Sequence, residues 1–215
     1  MGRPKQFIEL LGSPALLYAL RAFEETSEVA RIYAVGDRVR IEDLVEEAGI
    51  SKYVGCASPG ESRSLSTHSG LSLLEESPET VVLVHDGSRC LVTPDLIQRV
   101  VAAAVGDPGA GGVVPVVPVP DTIKVIEDGT VLETLDRAKL RAAQTPQAFR
   151  LGLLRKAYTG SEERLRAATD DASLVESAGG RVLVVAGEKT NIKLTTPEDL
   201  ILAEAILSTR HEVRS

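Results

Sequence analysis

Seven polar side chains stand where a ligand could reach them. Lys5, Arg63, Asp86, Arg89, Thr122, Arg137 and Lys193 each follow an apolar run or sit in a loop. Most are cationic. Lysines and arginines gathered in one crevice of an otherwise acidic chain suit a phosphorylated ligand, because phosphate accepts several charge-assisted hydrogen bonds at once. A lone carboxylate among them, Asp86, suits a divalent metal ion carried by that ligand. Spacing alone leaves open whether such a site binds, hydrolyses or transfers a phosphate.

The element that must position them is Val81-Val82-Leu83-Val84, followed at once by His85-Asp86-Gly87-Ser88-Arg89. Four branched aliphatics in a row are expected to form a strand buried on both faces at the centre of a parallel sheet. Ligands of open α/β sheets bind beyond the strand C-termini, so Asp86 and Arg89 are expected to emerge into that crevice on a turn that Gly87 permits. The plainer alternative is an Asp-x-x-Arg turn closed by a surface ion pair. His85 reads as a packing or hydrogen-bonding group rather than a catalyst.

The rest of the chain supplies a scaffold of alternating elements. Met1 to Phe7 form a polar loop, and Ser13-Pro14 are expected to cap and start a helix through Leu16, Leu17, Leu20 and Phe23. Strands are expected at Ile32 to Val35 and Tyr53 to Ala57, with a helix from Ile41 to Ala48 stopped by Gly49. Pro59 to Ser66 open a helix carrying Leu71, Leu73 and Leu74, whose first N–H groups, with Arg63, suit a phosphate or a base edge; ordinary serine capping is the competing reading. Thr93-Pro94 start another helix, Val113 to Val117 make a buried strand, and Arg181 to Val185 a last central one. Helices follow from Leu151 to Tyr158 and from Asp171 to Ala178, and Asn191 to Leu194 read as a short edge segment before a final helix capped at Thr196 to Asp199. Such alternation implies an α/β fold, a mostly parallel sheet with helices on both faces.

One stretch breaks the pattern. Thr122 to Ile126 and Val131 to Leu135 flank Asp128-Gly129, a turn pair suited to two positive φ angles, so an antiparallel β-arm is expected at about residues 119–144 of a single domain spanning 1–215. A two-stranded arm is marginal alone, which points to a dimer.

Composition sets limits on function. The 215 residues are 43% hydrophobic and 26% charged, and a net charge of −7 argues against a nucleic-acid-binding face. No apolar run approaches the ~18 residues of a membrane span, so a cytoplasmic protein is expected. Cys56 and Cys90 have neither zinc-site nor disulfide-framework spacing, and His68, His85 and His211 have no ligand spacing.

Several motifs occur in an order that resembles one family. Pro4-Lys5-Gln6-Phe7, Gly60-x-x-Arg63-x-x-Ser66, His85-Asp86-x-x-Arg89, Asp121-Thr122-Ile123-Lys124, Thr145-Pro146-Gln147, Thr169-Asp170 and Asn191-Ile192-Lys193 together resemble the 2-C-methyl-D-erythritol 4-phosphate cytidylyltransferases. The resemblance implies a Rossmann-like domain whose β-arm embraces a second subunit. It implies that CTP and methylerythritol 4-phosphate are joined, with Mg2+, to give CDP-methylerythritol and pyrophosphate in the non-mevalonate isoprenoid pathway. Lys5 would act on the CTP phosphates, and Gly60, Glu61 and Ser66 would line the cytidine side near Arg63. Asp86 would sit near the metal and the ribose. Arg89, Thr122, Arg137, Lys193 and, more weakly, Thr169 match positions that hold the acceptor phosphate, with Thr122 and Arg137 reaching in from the partner's arm. Ribitol 5-phosphate is the alternative acceptor. Family members also open with a strand and an Ala-Ala-Gly-x-Gly-x-Arg loop, and this sequence starts at the Met-Gly after it, which leaves a non-catalytic, nucleotide-binding or dimerising copy as a further reading.

Overall fold

The computed structural model describes residues 5–214; the start of the opening polar loop, Met1 to Pro4, lies outside the described residues. The elements run β1 (Glu9–Leu10), β2 (Ser13–Pro14), α1 (Ala15–Glu25), β3 (Ile32–Val35), α2 (Arg38–Ala48), β4 (Tyr53–Ala57), α3 (Arg63–Leu71), β5 (Val81–Val84), α4 (Pro94–Gly106) and β6 (Gly112–Pro118). They continue with β7 (Lys124–Glu127), β8 (Thr130–Thr134), β9 (Arg141–Ala143), β10 (Gln147–Arg150), α5 (Leu151–Ala157), α6 (Glu162–Ala167), α7 (Asp171–Ser177), β11 (Val182–Ala186) and α8 (Pro197–Arg214). This is the α/β alternation expected, and local signals explain most boundaries. Asp37, Ser62, Thr93 and Asp170 each cap a helix through the side chain, a contact that contributes about 1 kcal/mol. Gly49 ends α2 in the left-handed conformation, φ 66°.

Helices cover both faces of the main sheet, and the period-2 alternation of the strands shows it. Val81 and Leu83 of β5, Val113 of β6, Ala148 of β10 and Leu183 and Val185 of β11 pack with α1, α2 and α4. Val82 and Val84, Val114 and Val116, Phe149 and Val182 face the other way, onto α3, α5 and α7. A third cluster ties Leu10, Cys90, Leu91 and Leu194 to Ala203 and Leu207 of α8.

The sheet order corrects two expectations. It runs β11, β6, β10, β5, with β11 parallel to β6 but β10 antiparallel to both of its neighbours, and β9 antiparallel to β6. The strand at Arg181 to Val185 is therefore an edge, not a centre, and Val184 is 65% exposed. Val81 to Val84 is also only half-buried: on its second side no strand pairs with it among the described residues. Across from that free edge lies β3, which pairs in parallel with β4 as a separate ribbon. Arg31 and Tyr33 both reach Glu76 at 2.9 Å, tying the start of β3 to the loop ahead of β5.

Smaller corrections have local causes. Ser13 and Pro14 pair with Leu10 and Glu9, so Pro14 takes the cap position of α1 without a side-chain bond. Asn191 to Leu194 form no strand; Leu194 is held by one bond from its N–H to the Ser88 carbonyl at 2.9 Å. The short helix α6 had no apolar period to reveal it. At the arm, Asp128 and Gly129 adopt φ 47° and 76°, as a type I′ turn requires, and β7 and β8 are exposed along their whole length.

Candidate active site

The chain gathers its charge where β5 ends. The Arg89 N–H donates to the Asp86 carbonyl at 2.8 Å and closes the turn, while the Asp86 N–H donates to Thr145 Oγ1 at 3.0 Å. His85 lies beneath. Its Nε2 is 3.1 Å from the Arg89 carbonyl, which can only accept, so the proton is assigned to Nε2, and Nδ1 accepts from the Thr145 hydroxyl at 3.0 Å. Burial holds its pKa down at about 4, and its ring meets Phe23 edge-on. His85 is scaffold, consistent with the sequence reading. Gly87 has no positive φ, and an added Cβ would meet ordinary contacts, so the turn does not require glycine there.

The Asp86 carboxylate is the hub. Oδ1 accepts from Arg63 Nε at 2.7 Å, Oδ2 accepts from Lys193 Nζ at 2.9 Å, and Arg89 Nε stands 3.9 Å from Oδ2. Burial pushes the carboxyl pKa up, but the Arg63 and Lys193 charges outweigh it and hold the group at about 2. Burial likewise works against the Arg63 charge, and Asp171 and Asp86 reverse it, raising the pKa. Arg89 is the opposite case, lowered by burial, and its Nη atoms donate to the carbonyls of Asn191 and Ala143. The ion-paired turn of the plainer reading is thus present, but part of a half-buried network. Two donors in it, Arg63 Nη1 and Arg89 Nε, are buried without a hydrogen-bond partner among the described residues.

A cleft of about 1160 Å³ opens between β3 and β5. Its floor is apolar, with Leu16, Phe23, Ile32, Val81 and Leu83, and its mouth carries Lys5, Arg63, Ser66, Asp86 and Lys193. Those five sequence candidates are brought together. Lys5 Nζ donates to the Thr195 carbonyl at 3.1 Å. Gly60 and Glu61 lie in the loop before α3. The Gly60 N–H donates to Ser66 Oγ at 3.1 Å, and a Cβ on Gly60 would stand 2.6 Å from Leu65 Cβ, so only glycine fits this approach. Glu61 pairs with Arg166 at 2.6 Å.

Three candidates lie elsewhere. Thr122 and Arg137 are exposed at the base of the arm, where Arg137 Nη1 donates to the Pro120 carbonyl at 2.9 Å, and neither lines this cleft. Thr169 is exposed beside Asp170, the cap of α7. Sequence reasoning missed a second tier. Gln144 bridges to Glu188 and Asn191, Asn191 donates to the Thr145 carbonyl at 2.9 Å, and Asp171 backs Arg63. Their signal was faint: single buried polar residues beside exposed ones, as Asn191 is beside Thr190 and Gln144 beside Ala143.

The donor set tests the metal expectation. No group of three or more His, Cys, Asp or Glu side chains converges among the described residues, so this chain offers no cage of its own. Asp86 is the carboxylate that would hold a cation carried in by a phosphorylated ligand, beside Lys193, which is 41% exposed. No described helix is long and apolar enough to cross a membrane.

Comparison with known proteins agrees with this geometry. The family model described as IspD: 2-C-methyl-D-erythritol 4-phosphate cytidylyltransferase matches residues 1–209. A protein of that name from Rubrobacter xylanophilus is 66% identical over 210 residues, 98% of this chain and 90% of the relative. Among solved structures, a 4-diphosphocytidyl-2C-methyl-D-erythritol synthase superposes with TM-score 0.82 at 31% identity, covering 95% of each chain. The Thermus thermophilus cytidylyltransferase gives 0.78 at 33% identity, over 95% of this chain and 94% of its own. With a family match along nearly its whole length, this chain belongs to the 2-C-methyl-D-erythritol 4-phosphate cytidylyltransferases.

Proposed function

We propose that this chain joins CTP to 2-C-methyl-D-erythritol 4-phosphate, releasing pyrophosphate, at the mouth of the cleft beyond β5. The observation that carries this reading is the pairing of Arg63 and Lys193 with one ionised carboxylate, Asp86, at a cleft mouth that Lys5 also lines, in a chain of net charge −7. The nucleophile is an acceptor phosphate oxygen, already ionised near neutral pH, so no general base is needed. Catalysis then consists of bringing two anions together and stabilising the charge that spreads over the α-phosphate.

Lys5 acts on the CTP phosphates, and the loop at Gly60, Glu61 and Ser66 takes the cytidine, with Arg63 above it. Arg89 and Lys193 hold the acceptor phosphate, joined by Thr122 and Arg137 of a second subunit, while Thr169 is a peripheral contact. Asp86 would hold a Mg2+ ion that comes with CTP. When bound, that ion neutralises triphosphate charge.

A homodimer follows from the arm. Ile126 is 66% and Leu132 60% exposed there, apolar surface on a two-stranded ribbon that a second copy would cover. The protein acts in the cytoplasm, without nucleic acid or membrane.

The test is pyrophosphate release. CTP with methylerythritol 4-phosphate and Mg2+ should give product, and ribitol 5-phosphate should be much poorer. Equal or better turnover of ribitol phosphate would transfer the assignment to that acceptor, and absence of CTP binding by calorimetry would remove the nucleotide reading.

A further inference from the structure

A buried carboxylate outside the cleft remains unexplained by the reaction. Asp171, the first residue of α7, is 0% exposed and lies within the apolar cluster of Tyr158, Ala172 and Leu174. An ionised carboxylate in such surroundings costs several kcal/mol unless it is paired. Its partners face it from two sides. Tyr158 donates its hydroxyl to Oδ1, and Arg63 brings Nη2 to 2.8 Å from Oδ2, an ion pair set off the line of a well-formed hydrogen bond. Burial, then Asp171, lift the Tyr158 pKa, so the phenol stays a donor across the working pH range.

Arg63 is therefore held by two carboxylates at once, Nε on Asp86 and Nη2 on Asp171. A guanidinium is planar, so two fixed anions set its plane as well as its position. Were Asp86 the sole anion, the guanidinium could pivot about that one contact and compete with Lys193 for the carboxylate. Neither Asp171 nor Tyr158 lines the cleft, and Asp171 reaches its mouth through Arg63.

We infer that Asp171, itself oriented by the Tyr158 hydroxyl, is the positioning residue that fixes Arg63 across the cleft mouth and so sets Asp86 for the nucleotide. The catalytic consequence rests on the cytidylyltransferase reading, whereas the positioning does not. Asp171→Asn keeps the side chain's size and removes its charge. Tyr158→Phe keeps the ring, which stacks on His68 at 5.9 Å, and removes only the hydroxyl.

Two measurements test the inference. The first is ligand-free: the Arg63 Nε–H proton, assigned by its loss in Arg63→Lys, should give a sharp, slowly exchanging nuclear magnetic resonance signal in the wild type. It should broaden or exchange at least tenfold faster in Asp171→Asn, and less so in Tyr158→Phe. The second is kinetic. Asp171→Asn should raise the apparent KM for CTP roughly tenfold and leave that for the acceptor within about twofold. The double variant Asp171→Asn with Arg63→Lys should be no worse than Arg63→Lys alone, because the carboxylate acts through that arginine. A merely structural aspartate would instead weaken both substrates together and add to the arginine defect. If Asp171→Asn does not fold, Tyr158→Phe decides by the same signals. An unchanged Arg63 Nε–H signal, or additive kinetic effects, would overturn the inference; a wild type that does not use CTP would overturn the cytidylyltransferase reading and leave the resonance test to stand.

Discussion

Lys193 meets Asp86 at 2.9 Å across 107 positions of sequence, and the two share that contact with the mouth of the cleft. A cation so far away in the chain helps Arg63 hold the carboxyl pKa down and is itself 41% exposed, able to turn towards an anion. Lys193→Ala should raise the Asp86 pKa from about 2 towards the ordinary range and lower turnover roughly a hundredfold. Carboxyl titration by nuclear magnetic resonance and pyrophosphate release check the two halves separately.

Arg137 should act on the neighbouring subunit. Arg137→Ala is expected to raise the acceptor's apparent KM and to leave CTP binding unchanged. Mixing it with Lys193→Ala should restore about a quarter of wild-type activity, because half of randomly exchanged dimers would carry one undamaged site. No recovery on mixing, with exchange verified by mass spectrometry, would place both residues in one chain's site.

Lys5→Ala should act chiefly on turnover. The phosphates it faces redistribute their charge as pyrophosphate leaves, so the interaction strengthens in the transition state, and a loss of roughly a hundredfold in kcat is expected with little change in the KM for CTP. Steady-state kinetics at saturating acceptor would show it.

Stability should fall with acid in two steps. The unfolded chain protonates a histidine near pH 6.5, whereas His85 stays neutral in the fold until about pH 4. Between those values only the unfolded state gains a proton, so roughly 3 kcal/mol is lost as pH falls through that window. Asp86 adds a second loss between its ordinary value of 3.8 and about 2. Urea unfolding at pH 7 and pH 4.5 should show the first step in the wild type and a flatter response in His85→Gln.

Gly60→Ala should push the loop from α3. The new Cβ would stand 2.6 Å from Leu65 Cβ and 2.7 Å from the Leu65 carbonyl carbon, so backbone must shift. A loss of about 1–3 kcal/mol and weaker CTP binding are expected, by thermal unfolding and calorimetry.

Much of the scaffold was legible because its determinants are local. Tyr53 to Ala57, the Asp128-Gly129 turn and the glycine stop of α2 follow from propensity, φ preference and capping, each acting within a few residues. Motif order alone also identified the family and marked Lys5, Arg63, Asp86 and Lys193. Sheet order could not be read in this way. Val81 to Val84 and Arg181 to Val185 look alike as apolar runs, yet one flanks an open cleft and the other an edge, because their neighbours are chosen by non-local pairing. The insertion of β10 antiparallel between β5 and β6 is likewise a tertiary decision. So is the state of the charges. Sequence showed a crowd of cations, but only folding brought Asp86 and Asp171 to either side of Arg63, since ion pairing depends on distance in space and on the water that burial removes.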